Sequence, residues 1–368
     1  MKKPGFYLNN LISPDWPLAT AEQHTLARPN VKKVLINLAK FGVSAAFIGW
    51  LVHSAHSNDP ETFARFVDEP KHWPKLAVAG VLHFTAVLIT FVRWYFLVTA
   101  IDLPFRLRDA IRLGFLGFFG NLIALGAVGG DLFKAFAIAR HHPERRAEAV
   151  ATVVIDRIVG LYALFLLASS VILASGLMKT EAKDVLTVCF FALACTGVGA
   201  IGILMILIPG VTTGRATELI GRLPKIGNTC SKLLNAVRLY RMRFRIVLLA
   251  GVMSVCVHSL IATAMFMISE GLPGNSPKML EHFVAVPLSL VTGVLPLPGG
   301  GLGAFEFALD KMYVMLSIPG HVINPGQGLL TALTYRIFTL GIAFVGFCYY
   351  NSSRSEIAKT IEEAADEE

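Results

Sequence analysis

The sequence predicts an all-α protein that crosses a membrane several times, and three observations support this class. Only 16% of the 368 residues are charged, whereas about 25% is usual in a soluble domain. Hydrophobic residues make up 54% of the chain and form runs longer than the ~20 residues that cross a bilayer core. The first thirty residues lack the apolar core of a cleavable signal peptide, so the first apolar run is expected to remain as a span.

Eight apolar segments follow one another along the chain. Six have the length and composition of complete spans, and two are interrupted by glycine and proline. Glycine and proline at membrane depth free backbone polar groups, which protein or a wet cavity must then satisfy. We therefore predict a helical bundle of about six full spans plus two broken, re-entrant elements. The predicted spans are 34–54, 76–98, 148–177, 185–209, 246–270 and 327–350, and the broken segments are 112–138 and 283–318.

The distribution of basic residues predicts the topology. Of 33 Lys and Arg, 23 lie before the first span, in 93–112, in 134–146, in 215–245 or in the C-terminal tail, and only six lie in the alternate loops. The positive-inside rule therefore places the first set in the cytoplasm. Basic clusters on both sides of segment 112–138 indicate that it enters and leaves on the cytoplasmic face. The other broken segment is predicted to enter from the opposite face.

The same reasoning predicts location and domain organisation. We expect a multi-pass protein of the cytoplasmic (inner) membrane with both termini in the cytoplasm. Residues 1–30 form a cytoplasmic N-terminal segment, 31–350 the membrane domain and 351–368 an acidic cytoplasmic tail. Glycine-rich faces such as Gly197–Gly199–Gly202 allow a homo-oligomer.

Several ionisable side chains fall within the predicted hydrocarbon core. A charge at the centre of a spanning helix costs about 2.5–3.5 kcal/mol on insertion scales, so such residues persist where they are paired or face water. Structural ion pairs, for example Asp131 with Arg157 or Glu306 with Arg336, are one explanation. Their concentration around two broken helices instead favours a substrate path. The full set is Lys40, Arg157, Lys311, Arg336, Asp131, Asp156, Glu306 and Asp310.

Other classes of function find little support. The basic loops explain the net charge of +8, so no nucleic-acid partner is expected. The five cysteines show no metal-ligand spacing, and the motifs GxxxxGK[ST], HExxH and GxSxG are absent from the sequence. We therefore predict no cofactor, no metal and no catalytic residue, which leaves an intramembrane lipid enzyme as the weakest alternative.

Several motifs, taken in order, resemble one membrane family. GGDLFKAFAIAR at 129–140 is followed by DRIVG at 156–160, and PLPGGGLGAFE at 296–306, RW at 93–94 and YRI at 335–337 complete the pattern. Together they resemble the lysylphosphatidylglycerol synthase transmembrane region family, also called the flippase-like family, over about residues 30–350.

The resemblance implies a membrane domain that moves polar lipids between leaflets. Its two-part synthases carry a soluble aminoacyltransferase domain after the membrane region. This sequence continues only eighteen residues past its last predicted span, so we do not expect that activity. By resemblance, the substrate-binding positions are Asn121, Gly130, Asp131, Lys134, Asp156, Arg157, Gly300, Glu306 and Arg336.

Two functions of different classes remain open. The first is translocation of a polar phospholipid or a polyprenyl-linked lipid through a charged intramembrane groove. The second is a non-transporting scaffold, in which the basic loop 215–245 docks a partner lipid synthase or glycosyltransferase.

Overall fold

The structure is a computed structural model that describes most of the chain between residues 46 and 352. Its secondary structure is helical, with no β-strand in the described ranges, so the predicted all-α class is confirmed. The described residues are 46, 48–54, 56–57, 59–123, 129–207, 240–294, 303–316 and 322–352. The helices are α1 (Pro60–Asp68), α2 (Trp73–Ala100), α3 (Leu107–Ile123), α4 (Gly129–His141), α5 (Arg146–Ser175), α6 (Lys183–Leu207), α7 (Phe244–Ser269), α8 (Met279–Val294), α9 (Ala304–Met315) and α10 (Gln327–Ser352).

Five helices are long and apolar enough to cross a membrane, judged by length and composition. They are α2, α5, α6, α7 and α10, and they coincide with five of the six predicted spans. The 28 residues of α2 extend about 42 Å, which exceeds the ~30 Å hydrocarbon core. The remaining predicted span, 34–54, lies mostly outside the described residues, and its described part is helical. The prediction of a polytopic helical membrane protein is confirmed.

One end of the bundle carries most of the described basic loops. It is formed by residues 101–106, 141–146 and 240–245, and we call it the basic end. Arg145 joins two of these segments, because its Nη2 donates to the carbonyl oxygen of Ile101 over 2.9 Å. The positive-inside rule predicts that this end is cytoplasmic, and that assignment stays a prediction.

The other end of the bundle, called the opposite end, is formed by residues 69–75, 270–278 and 322–326. Lys75 Nζ lies 3.1 Å from Glu270 Oε2 and ties the start of α2 to the end of α7. α2 and α7 therefore run antiparallel between the two ends, and they form the most extensive helix contact in the bundle.

The first broken segment forms two short helices, α3 and α4, which run antiparallel. Asn121 near the end of α3 accepts a hydrogen bond from the backbone N–H of Gly130 at the start of α4, with Oδ1 2.8 Å from N. One turn further along α4, the Lys134 side chain packs against Gly117, which lies one turn before Asn121 in α3. The longer helix has 17 residues and extends about 25 Å, which is too short to cross the hydrocarbon core.

The second broken segment forms α8 and α9, which also run antiparallel. His282 near the start of α8 places Nε2 2.7 Å from the hydroxyl of Tyr313 near the end of α9. These helices have 16 and 12 residues and are again too short to span. The connections 124–128 and 295–302 lie outside the described residues, so the prediction that both pairs are re-entrant stays a prediction.

The first helix of each pair begins earlier than predicted, by five residues for α3 and four for α8. An acidic residue in the first turn explains both cases. The backbone N–H of Arg106 donates to the Asp109 carboxylate, and that of Lys278 donates to Glu281 Oε2 over 2.7 Å. Such contacts satisfy backbone donors that a helix start leaves without an intrahelical partner. The first turns of α3 and α8 are polar, so an analysis of hydropathy does not include them in the apolar segments.

The long helices α5 and α10 connect the two short pairs to the rest of the bundle. α5 packs against α4, α7 and α8, and α10 packs against α3 and α9. Both therefore touch the two short pairs, and both carry arginines within their apolar sequences. α6, by contrast, packs mainly on α5 and lies at the periphery.

Gly130→Ala is expected to destabilise the α3–α4 pair. A Cβ at Gly130 would overlap the backbone carbonyl of Gly117 and would lie 2.7 Å from Asn121 Oδ1, so the two helices must separate. Overpacking of this kind typically costs about 1–3 kcal/mol. Thermal unfolding of the purified protein in detergent should show a lower midpoint. Gly197→Ala in α6, where nothing lies within 4 Å of the added atom, is the matched control and should not lower it.

Asp109→Asn is expected to stabilise the protein at neutral pH. Asp109 is buried at the basic end, and burial raises its pKa from 3.8 to about 6. Among the described residues, none forms a hydrogen bond with its Oδ2. The folded state therefore prefers the protonated acid, so the cost of ionisation grows from pH 3.8 to about 6 and is complete above that. The melting temperature of Asp109→Asn should exceed that of the wild type at pH 7.5. If the difference in melting temperature between Asp109→Asn and the wild type stays the same as the pH falls towards 4, the raised pKa of Asp109 is contradicted.

Candidate functional site

Each short helix pair is joined to the long helix that follows it by an acid–arginine pair. Asp131 of α4 pairs with Arg157 of α5 through the arginine Nε. Glu306 of α9 pairs with Arg336 of α10, with Nη2 and Nε 2.6 and 3.0 Å from Oε1. Both acids are the third residue of their helix and follow a glycine-rich sequence. Both pairings that the sequence suggested are present, and they form two similar arrangements in one bundle.

The Asp131 cluster consists of Asn121, Gly130, Asp131, Lys134 and Arg157. Lys134 Nζ lies 2.8 Å from Asp131 Oδ1, while Arg157 contacts Oδ2. Two cations thus share one carboxylate, and the cluster carries a formal charge of +1. The Asp131 side chain is only 12% exposed, whereas that of Arg157 is 42% exposed. The Arg157 side of the cluster therefore reaches the surface, while the carboxylate lies inside.

Lys134 has a second contact in this cluster. Its Nζ lies 5.3 Å from the ring centre of Trp94, which is within range of a cation–π interaction. The Trp94 indole is buried and donates from Nε1 to Thr152 Oγ1 over 3.2 Å. The lysine head group is therefore held between an aromatic face and a carboxylate.

A buried triad of Arg93, Asp156 and Ser254 lies beside the Asp131 cluster. Arg93 forms a bidentate pair with Asp156, at 2.8 Å from Nε to Oδ1 and 3.0 Å from Nη2 to Oδ2. Its Nη1 donates to Ser254 Oγ over 2.7 Å. The triad joins α2, α5 and α7. As expected for adjacent helical residues, Asp156 and Arg157 have different partners.

The placement of Arg93 in a cytoplasmic loop was wrong. α2 continues to Ala100, so Arg93 lies two turns inside the helix, where it is buried. The charge count assigned it to loop 93–112, although the predicted span 76–98 contains it. The signal that identifies it is the intramembrane Asp156, because a buried carboxylate requires a cationic partner.

The Glu306 cluster consists of Gly303, Glu306 and Arg336. Glu306 is 0% exposed, and its Oε2 accepts a hydrogen bond from the Gly303 backbone N–H over 2.7 Å. Gly303 has a φ of 90°, a left-handed conformation that favours glycine, so the turn before α9 depends on that residue. The pair has no net formal charge. The Arg336 side chain is 25% exposed and lies 6.0 Å from the Phe305 ring.

Both arginines lie next to exposed apolar side chains. On α5, the exposed residue Val154 lies one turn before Arg157 on the same helix face, and the exposed residue Ile158 follows Arg157 directly. On α10, Arg336 is followed by the exposed residues Ile337 and Leu340. In a membrane these faces adjoin acyl chains, so each arginine is at the boundary between the packed bundle and lipid.

The structure groups the predicted site residues in three ways. Asn121, Gly130, Asp131, Lys134 and Arg157 come together, with Asn121 and Gly130 fixing the short helix pair. Asp156 faces the buried triad instead. Glu306 and Arg336 form the second cluster, and Gly300 and Lys40 lie outside the described residues. That these residues bind substrate stays a prediction, and Arg93, Trp94 and Ser254 are the contacts that sequence analysis did not assign to the site.

The predicted absence of a metal stays a prediction. In the ranges that the structure describes, no three His, Cys, Asp or Glu side chains are grouped so that they could hold a metal ion.

Asp156→Asn should strongly destabilise the bundle, because it leaves the buried Arg93 guanidinium without its anion. Breaking a buried pair in this way typically costs about 3–5 kcal/mol. The matched control is Asp102→Asn, since Asp102 pairs with Arg243 at the exposed basic end. Its melting temperature should change little. Equal stability of the two variants would mean that Arg93 is not desolvated.

Comparison with known proteins agrees with this architecture. The family model described as lysylphosphatidylglycerol synthase TM region matches residues 37–346, a range that includes both ion-pair clusters and the buried triad. No curated protein matches the chain. Because the matched range covers most of the sequence, the chain belongs to the lysylphosphatidylglycerol synthase TM region family.

Proposed function

We propose that this multi-pass membrane protein translocates a polar phospholipid, or a lipid-linked headgroup, between the two leaflets. The supporting observation is the position of Arg157 and Arg336. Each lies inside a long apolar helix, beside exposed apolar side chains, while its acidic partner is buried. A lipid presents its headgroup and its acyl chains together, and these surfaces suit both parts.

The Asp131 cluster is suited to a phosphate. A phosphodiester carries one negative charge, which is opposite in sign to the formal charge of +1 that Asp131, Lys134 and Arg157 carry together. The attraction between such charges is several times stronger in a protein interior than in water. The Glu306 cluster has no surplus charge, and we propose that it holds the headgroup less tightly at a later or earlier stage of its passage.

The two clusters suit a path that is reached from both ends. Arg157 lies 11 residues, about 17 Å, along α5 from the basic end. Arg336 lies nine residues, about 14 Å, along α10 from the opposite end. A headgroup moving between them would exchange one set of partners for another. Exchange of partners avoids an unpaired buried charge, which would cost about 3–5 kcal/mol.

We propose the cytoplasmic membrane, with the basic end and both termini in the cytoplasm, because the positive-inside rule favours this orientation. The chain would have no catalytic activity of its own. Its substrate, a phospholipid or polyprenyl-linked lipid, would come from a separate lipid synthase or glycosyltransferase.

Replacement of the arginines is expected to slow lipid exposure in proteoliposomes. Arg157→Gln leaves Asp131 paired with Lys134, so the variant should fold. Loss of a charge-assisted contact worth about 1.5–3 kcal/mol predicts roughly a tenfold or greater reduction in rate. The assay measures how quickly a fluorescent phospholipid becomes accessible to a membrane-impermeant quencher.

Two further variants complete this test. Arg336→Lys keeps the charge beside Glu306 but loses the planar fork, and it should also slow exposure. Arg65→Gln removes only a surface pair with Glu61 in α1 and should behave as the wild type does. If folded wild-type protein exposes no lipid of any headgroup, or if Arg157→Gln keeps full activity, the proposal fails.

A further inference from the structure

A pocket lies between α9, the start of α10 and the helical residues 48–54. We propose that this pocket binds the headgroup of a zwitterionic phospholipid. Lys311 would hold the phosphate, and the Asp310 carboxylate and the Trp50 ring would hold the ammonium group. The proposal rests on the proposed function and names a substrate class and a second headgroup position for it.

The pocket extends from the protein surface to the Glu306 cluster. The pocket is open to solvent, and the space within it and at its mouth amounts to about 490 Å³. Lys311, which is exposed, and Glu306, which is fully buried, both line it. Pro325 and Leu329 line it as well, so it lies towards the opposite end of the bundle. A headgroup in the pocket would therefore be next to the Glu306–Arg336 pair.

Asp310 brings a carboxyl group to the pocket. Its Oδ1 accepts hydrogen bonds from the backbone N–H groups of Gly326, at 2.8 Å, and Leu329, at 3.1 Å, which stabilises the start of α10. A carboxylate accepts about four hydrogen bonds, so capacity for another donor remains. In the part of the chain that the structure describes, Asp310 forms no salt bridge. An ammonium group would supply a direct ion-pair partner for this carboxyl group.

Lys311 brings the complementary charge. Its Nζ lies 5.6 Å from the centre of the Phe307 ring, and no carboxylate pairs with it among the described residues. Adjacent helical residues point about 100° apart, so the side chains of Lys311 and Asp310 line different parts of the pocket. Two separated opposite charges match a zwitterion better than a simple anion or cation.

The surroundings of the pocket favour a lipid over a soluble phosphoamine. Trp50 and Phe307 are both exposed large aromatic residues at its rim. Tryptophan is enriched at membrane interfaces, and its ring face attracts ammonium groups. On the neighbouring surface of α10, Ile337 is exposed and apolar, so acyl chains have a surface to follow.

The test measures binding without transport. Purified full-length protein in detergent is titrated with short-chain phosphatidylethanolamine or phosphatidylglycerol, and bound lipid is counted by native mass spectrometry. Phosphatidylethanolamine should bind wild type roughly tenfold more tightly, because only it carries the ammonium group. Asp310→Asn retains an acceptor for the start of α10 and should abolish this preference. Lys311→Gln should weaken the binding of both lipids.

Lys278→Gln, an exposed lysine at the same end, should leave both affinities unchanged. Equal binding of the two lipids by wild type, or an unaltered preference in Asp310→Asn, would overturn the proposal. Free phosphoethanolamine should not compete at millimolar concentration, and competition would assign the pocket to a soluble ligand instead. If phosphatidylethanolamine binds through Asp310 and Lys311 but the protein exposes no lipid to the quencher, the translocation proposal is refuted and the pocket proposal stands.

Discussion

The bidentate pair between Arg93 and Asp156 is the interaction on which the other contacts of the bundle depend. Both side chains are almost completely buried, and the pair ties together α2, α5 and α7 with Ser254. A buried guanidinium tolerates only a narrow geometry, so it fixes both the depth and the rotation of α5. Arg157, the next residue, is consequently directed at the α3–α4 pair. The position of one cluster thus follows from the pairing of the neighbouring residue.

The two acid–arginine clusters also share a local cause. Each acid is in the first turn of a short helix, where the helix dipole and unpaired N–H groups favour a negative charge. Glu306 benefits from these N–H groups directly, since its carboxylate accepts a hydrogen bond from the Gly303 N–H. The acid stabilises the helix start and at the same time binds the arginine of the next long helix. A glycine-rich sequence, an acid and a distant arginine therefore form one unit, and two such units occur in the described part of the chain.

The sequence was sufficient for the class of fold and for much of the candidate site. Hydropathy located the five described spans, and glycine and proline located both short helix pairs, because these properties are local. The pairing of Asp131 with Arg157 was also anticipated, since intramembrane charges leave few options. The role of Arg93 was not anticipated, because its partner is 63 residues away and only packing brings them together. The capping of α10 by Asp310 depends on the same kind of long-range approach.

The contact between Lys134 and Trp94 has a spectroscopic consequence. The chain has four tryptophans, and Trp94 is almost completely buried whereas Trp50 and Trp73 are exposed. The indole emission of Trp94 should therefore lie to the blue of theirs, and the nearby ammonium group should influence its intensity. Any event that moves Lys134 away from the ring would change that emission. The fluorescence of Trp94 should therefore report the position of the Lys134 ammonium group within the Asp131 cluster.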